Sequence, residues 1–181
     1  MSHRNIMDES DMNRACVRLA HEVIERNKGV ENVVLIGIQR RGVPLAQHIA
    51  DLIEQHGGSR PPVGQLDITF YRDDLSLLAD HPVLSGTDIP FSLRDKCVII
   101  VDDVIYTGRT VRAAIDAIMD VERPQCIQLM VMIDRGHREL PFRADFVGKN
   151  VPTANSEIVH VCVERFDGTN MVYIEDLPER K

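Results

Sequence analysis

One stretch limits what this chain can fold into: Cys97-Val-Ile-Ile-Val-Asp102-Asp103-Val-Ile-Tyr106-Thr107-Gly108-Arg109-Thr110-Val111. Val98 to Val101 is an apolar run rich in β-branching, the pattern of a strand covered on both faces of a parallel sheet. Asp102 and Asp103 fall where such a strand ends. Thr107, Gly108 and Thr110 then make a small turn, and Val111, Ala114, Ile115 and Ile118 follow at helical spacing. The unit reads as strand, acidic tip, phosphate-sized turn and helix.

Each part has a chemical reason. Backbone N–H groups of a glycine-containing turn at a helix N-terminus point outward without intrahelical partners, and the helix dipole adds to their attraction for an anion. Threonine hydroxyls add donors. Adjacent carboxylates would repel a bare phosphate, so the ligand must also carry something acids favour, either ribose hydroxyls or magnesium. A ribose phosphate meets both demands.

Other segments repeat the strand-then-helix rhythm. Val33–Ile38 reads as a core strand, and Gln39-Arg40-Arg41-Gly42 forms a second anion-friendly corner before a helix opened by Pro44 and running to about Gln55. Gln65–Tyr71 alternates as a strand, whereas residues 72–93 show no sustained period and form a long loop. Cys126–Ile133 is another buried strand. The order of elements is that of an α/β fold with a mostly parallel sheet flanked by helices and right-handed crossovers. Ligands then gather outside the carboxyl ends of the strands, so residues 39–42, 102–110 and 134–138 can share one cleft. Before all of this, residues 8–27 carry an amphipathic stripe through Met12, Cys16, Leu19 and Val23, ending at Lys28-Gly29. Glu157–Val163 and Met171–Ile174 read as two strands joined by Phe166–Asn170, and His160 within the first is assigned a structural place.

Composition sets outer bounds. At 181 residues with 44% hydrophobic and 27% charged positions, one globular domain over 1–181 with a core of its own is expected. A net charge of -7 argues against indiscriminate nucleic-acid binding while leaving room for a local basic patch. With no Trp and 4% aromatics, stacking of single-stranded bases is not the main mode. Cys16, Cys97, Cys126 and Cys162 lie far apart in apolar segments and are expected as buried, reduced thiols. No apolar run approaches the ~20 residues of a membrane span, and a cytoplasmic protein without membrane contact is expected.

Val101-Asp102-Asp103-Val-Ile-Tyr106-Thr107-Gly108-Arg109-Thr110 resembles the phosphoribosyl pyrophosphate (PRPP) motif of type I phosphoribosyltransferases. Within them, Asp134-Arg135-Gly136-His137-Arg138 and the following residues to Thr153 resemble the bifunctional pyrimidine-operon regulators that are also uracil phosphoribosyltransferases. Tyr106 stands where purine enzymes of the family usually carry an acid. The resemblance covers nearly the whole chain and implies a small hood built from about 134–181 with part of the N-terminal region, to which 143–148 contributes.

It also implies roles. PRPP and UMP would be held by Arg40, Arg41, Gly42, Asp102, Asp103, Tyr106, Thr107, Gly108, Arg109, Thr110, Asp134 and Arg135, the last two near the uracil. Asp102, Asp103, Arg40 and Arg72 would serve the transfer, with Mg2+ held through PRPP and only indirectly by the two acids. The pyrophosphate loop of the family often contains a non-proline cis peptide, here expected at Gln39–Arg40. Leader mRNA of pyrimidine genes would be bound by Arg18, His21, Arg138, Arg143 and Lys149, in a homodimer or a tetramer or hexamer built from it. Val17 departs from the Thr common before Arg18, which keeps open the alternative of a uracil phosphoribosyltransferase that has lost RNA binding.

Overall fold

The computed structural model describes residues 3–69 and 86–177. In chain order its elements are β1 (His3–Met7), α1 (Glu9–Arg26), β2 (Val33–Ile38), α2 (Gly42–Gly57), β3 (Val63–Leu66), β4 (Cys97–Ile105), α3 (Arg109–Val121), β5 (Cys126–Asp134), β6 (Phe146–Asn150), β7 (Glu157–Cys162), α4 (Glu164–Asp167) and β8 (Met171–Asp176). Five strands form a parallel sheet in the order β3-β2-β4-β5-β6, and three form a small antiparallel sheet in the order β1-β8-β7.

β4 is central because its apolar run offers no polar face. Ile99 and Val101 pack on the side of α1 and α2, while Val98 and Ile100 pack on the side of α3. β2 divides in the same way, with Val33 and Leu35 on one side and Val34, Ile36 and Ile38 on the other. The period-two alternation of strand side chains thus feeds two cores from one run of residues. α1 starts on a reciprocal cap, in which the Asp11 N–H donates to Asp8 Oδ1 at 2.8 Å and the Asp8 N–H to Asp11 Oδ2 at 3.2 Å. Its buried stripe of Met12, Cys16, Leu19 and Val23 covers the larger core together with Val159, Val161, Val172 and Ile174 of the small sheet.

Several expectations are corrected. Gln65–Tyr71 was expected as one strand, but β3 ends at Leu66, where Asp67 Oδ1 accepts from the N–H and hydroxyl of Thr69 and turns the chain. Residues 143–148 were expected in the hood. Instead Phe146–Asn150 forms β6 at the edge of the large sheet, beside β5, because buried Phe146 packs under α1 in the main core. β1 did not stand out in sequence, since four of its five side chains are exposed or only partly buried. Between β7 and β8, a single turn of helix, α4, precedes the expected glycine turn at Gly168. Of the four thiols, burial pushes Cys16 up to about 11 and Cys97 up to about 12, so both stay protonated. Cys126 is exposed because it opens β5 before that strand enters the core, and Cys162 is half-buried. His160 stacks on Tyr173 with ring centroids 4.7 Å apart. No helix among the described residues is long and apolar enough to cross a membrane.

Candidate active site

The carboxyl ends of β2, β3 and β4 open into a cleft of about 300 Å³ lined by Gln39, Arg40, Arg41, Asp67, Thr69, Asp102, Asp103 and Thr110, among others. The loop after β2 reaches this place by a close backbone approach. A Cβ on Gly42 would lie 2.3 Å from the Val101 carbonyl oxygen, so only glycine lets the loop rest against β4. The Gln39–Arg40 peptide is cis, at the bond expected for it. Gln39 donates from its side-chain amide to the Gly86 carbonyl.

The two acids differ in their access to water, Asp103 being half-buried. Asp102 is buried, and burial pushes its carboxyl well above the usual range, with the charge of Asp103 adding to the effect. Burial raises Asp103 as well, opposed by backbone donors and by the nearby Arg41 guanidinium. The Asp103 N–H donates to Asp102 Oδ1 at 2.9 Å and the Val104 N–H to Asp103 Oδ1 at 2.8 Å, which fixes both carboxyls near the end of β4; the strand was expected to end at these acids but pairs with β5 as far as Ile105. A cation or a set of hydroxyl donors in the cleft would favour the ionised forms.

After the tip, Gly108 caps α3 with φ +94°, a left-handed conformation, and no side chain caps the helix. The first turn of α3 therefore presents its N–H groups toward the cleft side, where Thr110 lies. Thr107 is tied into the loop opposite: its carbonyl accepts from the N–H groups of Glu139 and Leu140, and its hydroxyl from Arg109 N–H. Arg109 itself pairs with Glu139 at 2.6 Å.

The remaining residues named from sequence are placed as follows. Arg135 is buried, its guanidinium 4.1 Å from the Tyr106 ring centroid, and it donates to Thr153 Oγ1 and to the carbonyls of Ala154 and Glu157. It thereby fastens the loop before β7 to the end of β5. Tyr106 is 38% exposed and keeps one accessible side. Asp134 accepts from Gly136 N–H and from Arg138 Nη2. Arg138 uses all three nitrogens within its own surroundings, on Phe142 O, Tyr106 O, Gly136 O and Asp134. Arg18 pairs with Glu22 at 2.7 Å and donates to the carbonyls of Val147 and Gly148, and Lys149 donates to Ile6 O, so these two flank the seam between α1 and β6. Arg143 is exposed on the approach to β6. His21 is exposed and its ring lies 4.4 Å from that of His56. Val17 is partly buried against the core. Arg72 lies outside the described residues.

Two further residues border this site that the sequence reading did not single out. Asp67 lines the cleft at the end of β3, where the rule for strand ends would have pointed had the strand not been carried on to Tyr71. Asp167 reaches Arg41 from the end of α4, 126 positions away in sequence, and no local pattern marks such a pair.

The central strand of the parallel sheet carries one buried and one half-buried acid near its carboxyl end and is followed by a glycine-capped helix, a frame suited to a ribose phosphate. The phosphoribosyl transferase domain family matches residues 2–165, and the chain belongs to that family. Among solved structures, the hypoxanthine phosphoribosyltransferase of Trypanosoma cruzi superposes with a TM-score of 0.72 at 16% identity, covering 97% of each chain. That of Staphylococcus aureus gives 0.69 at 16% identity, covering 97% of this chain and 93% of the other. These likenesses speak to the fold. Among curated relatives, the Bifunctional protein PyrR of Caldicellulosiruptor bescii is 61% identical over 174 residues, 96% of both chains. That of Acetivibrio thermocellus is 62% identical over 172 residues, 95% of this chain and 94% of the relative. Identity at this level over nearly the full length groups the chain with the PyrR proteins inside the wider family.

Proposed function

We infer that this chain transfers a phosphoribosyl group from PRPP to uracil, giving UMP and pyrophosphate, and that it also regulates pyrimidine biosynthesis genes by binding their leader RNA in response to UMP. The observation that carries both parts is the identity of about 60%, spread over nearly the whole chain, to proteins named as bifunctional PyrR.

The chemistry follows from the residues of the cleft. Asp102 and Asp103 accept hydrogen bonds from the ribose hydroxyls, and the N–H groups and hydroxyls of Thr107–Thr110 hold the 5′-phosphate. As the bond from C1′ to pyrophosphate loosens, positive charge grows on the ribose, and the two carboxylates favour it. Arg40 and Arg41, with Arg72, offset charge on the departing pyrophosphate. Tyr106 presents an aromatic surface beside the base, and Asp134 and Arg135 order the loop around it.

Phosphoribosyltransferases generally use Mg2+ with PRPP. Among the described residues no three or more His, Cys, Asp or Glu side chains converge to hold a metal alone. Mg2+ would be held through PRPP, with Asp102 and Asp103 supporting it only indirectly, and would supply charge neutralisation to the leaving pyrophosphate.

The RNA-binding part rests on Arg18 and Lys149 beside the seam between α1 and β6, on His21 of α1, and on Arg138 and the exposed Arg143 before β6. In a homodimer two such seams form one face. A second reading, a uracil phosphoribosyltransferase without RNA binding, is favoured by the internal engagement of Arg18 and Arg138 and by the packed Val17.

The test has two arms. With PRPP and Mg2+, uracil is expected to give UMP, and turnover of hypoxanthine instead would overturn the substrate reading. Retention of a pyrimidine-gene leader transcript, measured with and without UMP, is expected to be tight and UMP-enhanced. Binding no better than that of a scrambled RNA would leave the enzyme alone.

A further inference from the structure

The pyrophosphate corner of the cleft already holds a carboxylate. Arg41, which immediately precedes α2, donates from Nη2 to Asp167 Oδ1 at 2.8 Å and from Nε to Asp167 Oδ2 at 3.2 Å. This is the two-pronged geometry in which guanidinium groups hold carboxylates and phosphates. Asp167 is itself fixed, since Oδ2 also accepts from the Val163 N–H at 2.9 Å, and it closes the single turn of α4 in the hood. Arg40 turns toward the same turn of helix, its guanidinium 5.0 Å from the Phe166 ring centroid. The Asp167 carboxyl is held below its usual range by Arg41 first, with a smaller contribution from Arg40, so the acid is ionised at neutral pH and partly neutralises both cations of the corner.

We propose that Asp167 is a positioning residue that competes with pyrophosphate for Arg41, keeping the guanidinium ordered until the ligand takes its place and limiting how tightly the released pyrophosphate is held. The proposal rests on the reading that this cleft takes PRPP. An arriving diphosphate offers the same planar pairing as the carboxylate with more charge, so it displaces Asp167 from Arg41. On release the carboxylate returns, and pyrophosphate leaves against a weaker field. A purely structural Asp167 would act in the opposite direction, because loosening the hood would weaken ligand binding.

Asp167→Asn separates the two. The amide oxygen still accepts from the Val163 N–H, while the charge is gone. Magnesium pyrophosphate is titrated calorimetrically into the wild-type protein and the variant at one ionic strength. The expected result is binding about 1.4- to fivefold tighter in the variant, the range spanned by a partly exposed ion pair. The KM for PRPP falls with it, pyrophosphate inhibits at lower concentration, and Asp167→Glu keeps the wild-type affinity. In the wild-type protein the carboxyl resonance of Asp167 also moves with added magnesium pyrophosphate, a readout that needs no variant to fold. Equal or weaker binding by Asp167→Asn, or an Asp167 resonance that stays still while the wild type binds, would overturn the proposal alone. Failure of the wild type to bind either magnesium pyrophosphate or PRPP would overturn the reading of the cleft.

Discussion

Replacing Gly42 with alanine tests how closely the arginine loop is set against the acidic tip. The added Cβ would stand 2.3 Å from the Val101 carbonyl oxygen, 3.2 Å from its carbon and 3.4 Å from Asp102 Cα. All three are backbone atoms of β4, which is paired to β2 on one side and β5 on the other and cannot yield. The loop must retreat instead, carrying Arg40 and Arg41 with it. Relieving the contact takes a shift of about 1 Å, and a misplacement of that size costs on the order of 10²-fold in turnover. Forcing a methyl group into a filled site costs about 1–3 kcal/mol of stability. Urea unfolding and kcat/KM for PRPP at saturating uracil read the two effects separately. The expected outcome is a lower midpoint together with the larger kinetic loss. A variant matching the wild type in both would refute the close approach as the device that positions the loop.

Three other outcomes follow from the same geometry. Asp102→Asn should abolish uracil transfer yet stabilise the ligand-free protein near neutral pH by about 0.5–2 kcal/mol, the range of common stabilising changes. The Asp102 folded-state pKa lies above its ordinary 3.8, so its favourable contribution is complete below 3.8 and is lost as pH rises through the raised value; the gap between variant and wild type, measured by urea unfolding, should therefore close at acid pH. Arg135→Lys keeps the charge but loses the fork that binds Thr153, Ala154 and Glu157 and the stacking on Tyr106, and should lower stability by roughly 2–3 kcal/mol in the same assay. Arg143→Ala with Lys149→Ala should leave uracil transfer intact while reducing the log–log salt slope of leader RNA retention by about 1.4, two single-strand phosphate contacts; an unchanged slope would remove the proposed face.

What the sequence discloses depends on how local each signal is. Val98–Val101, the acids after it, Gly108 and the helical spacing from Val111 are contiguous, and the structure builds them as one unit. The parallel sheet follows from repeated strand-then-helix segments. β6 was misplaced because Phe146–Asn150 is short and its burial under α1 is decided by residues far away in the chain. β1 is hidden for a related reason: its side chains are largely exposed, and only the backbone ladder with β8 makes it a strand. In the site, Arg40, Arg41, Asp102, Asp103 and Thr110 come together because each lies at or just beyond the carboxyl end of a parallel strand, the two acids within the last residues of β4. The inward turn of Arg135 and Arg138 could not be read, since a basic residue among turn formers looks the same whether it faces a ligand or its own carbonyls. The pairing of Arg41 with Asp167 is longer in range still.

The small sheet joins residues 3–7 to residues 171–176, with β8 lying between β1 and β7. During synthesis β1 is made long before β8 and must wait for it, so its ladder forms only after the residues between them have been made. The five-stranded sheet, complete at Asn150, can assemble before that. The nascent protein therefore passes through a stage with its acidic tip and glycine-capped helix built but its small sheet unmade. Asp167 is absent from Arg41 throughout that stage, and the anion corner is at its most open before the molecule is finished.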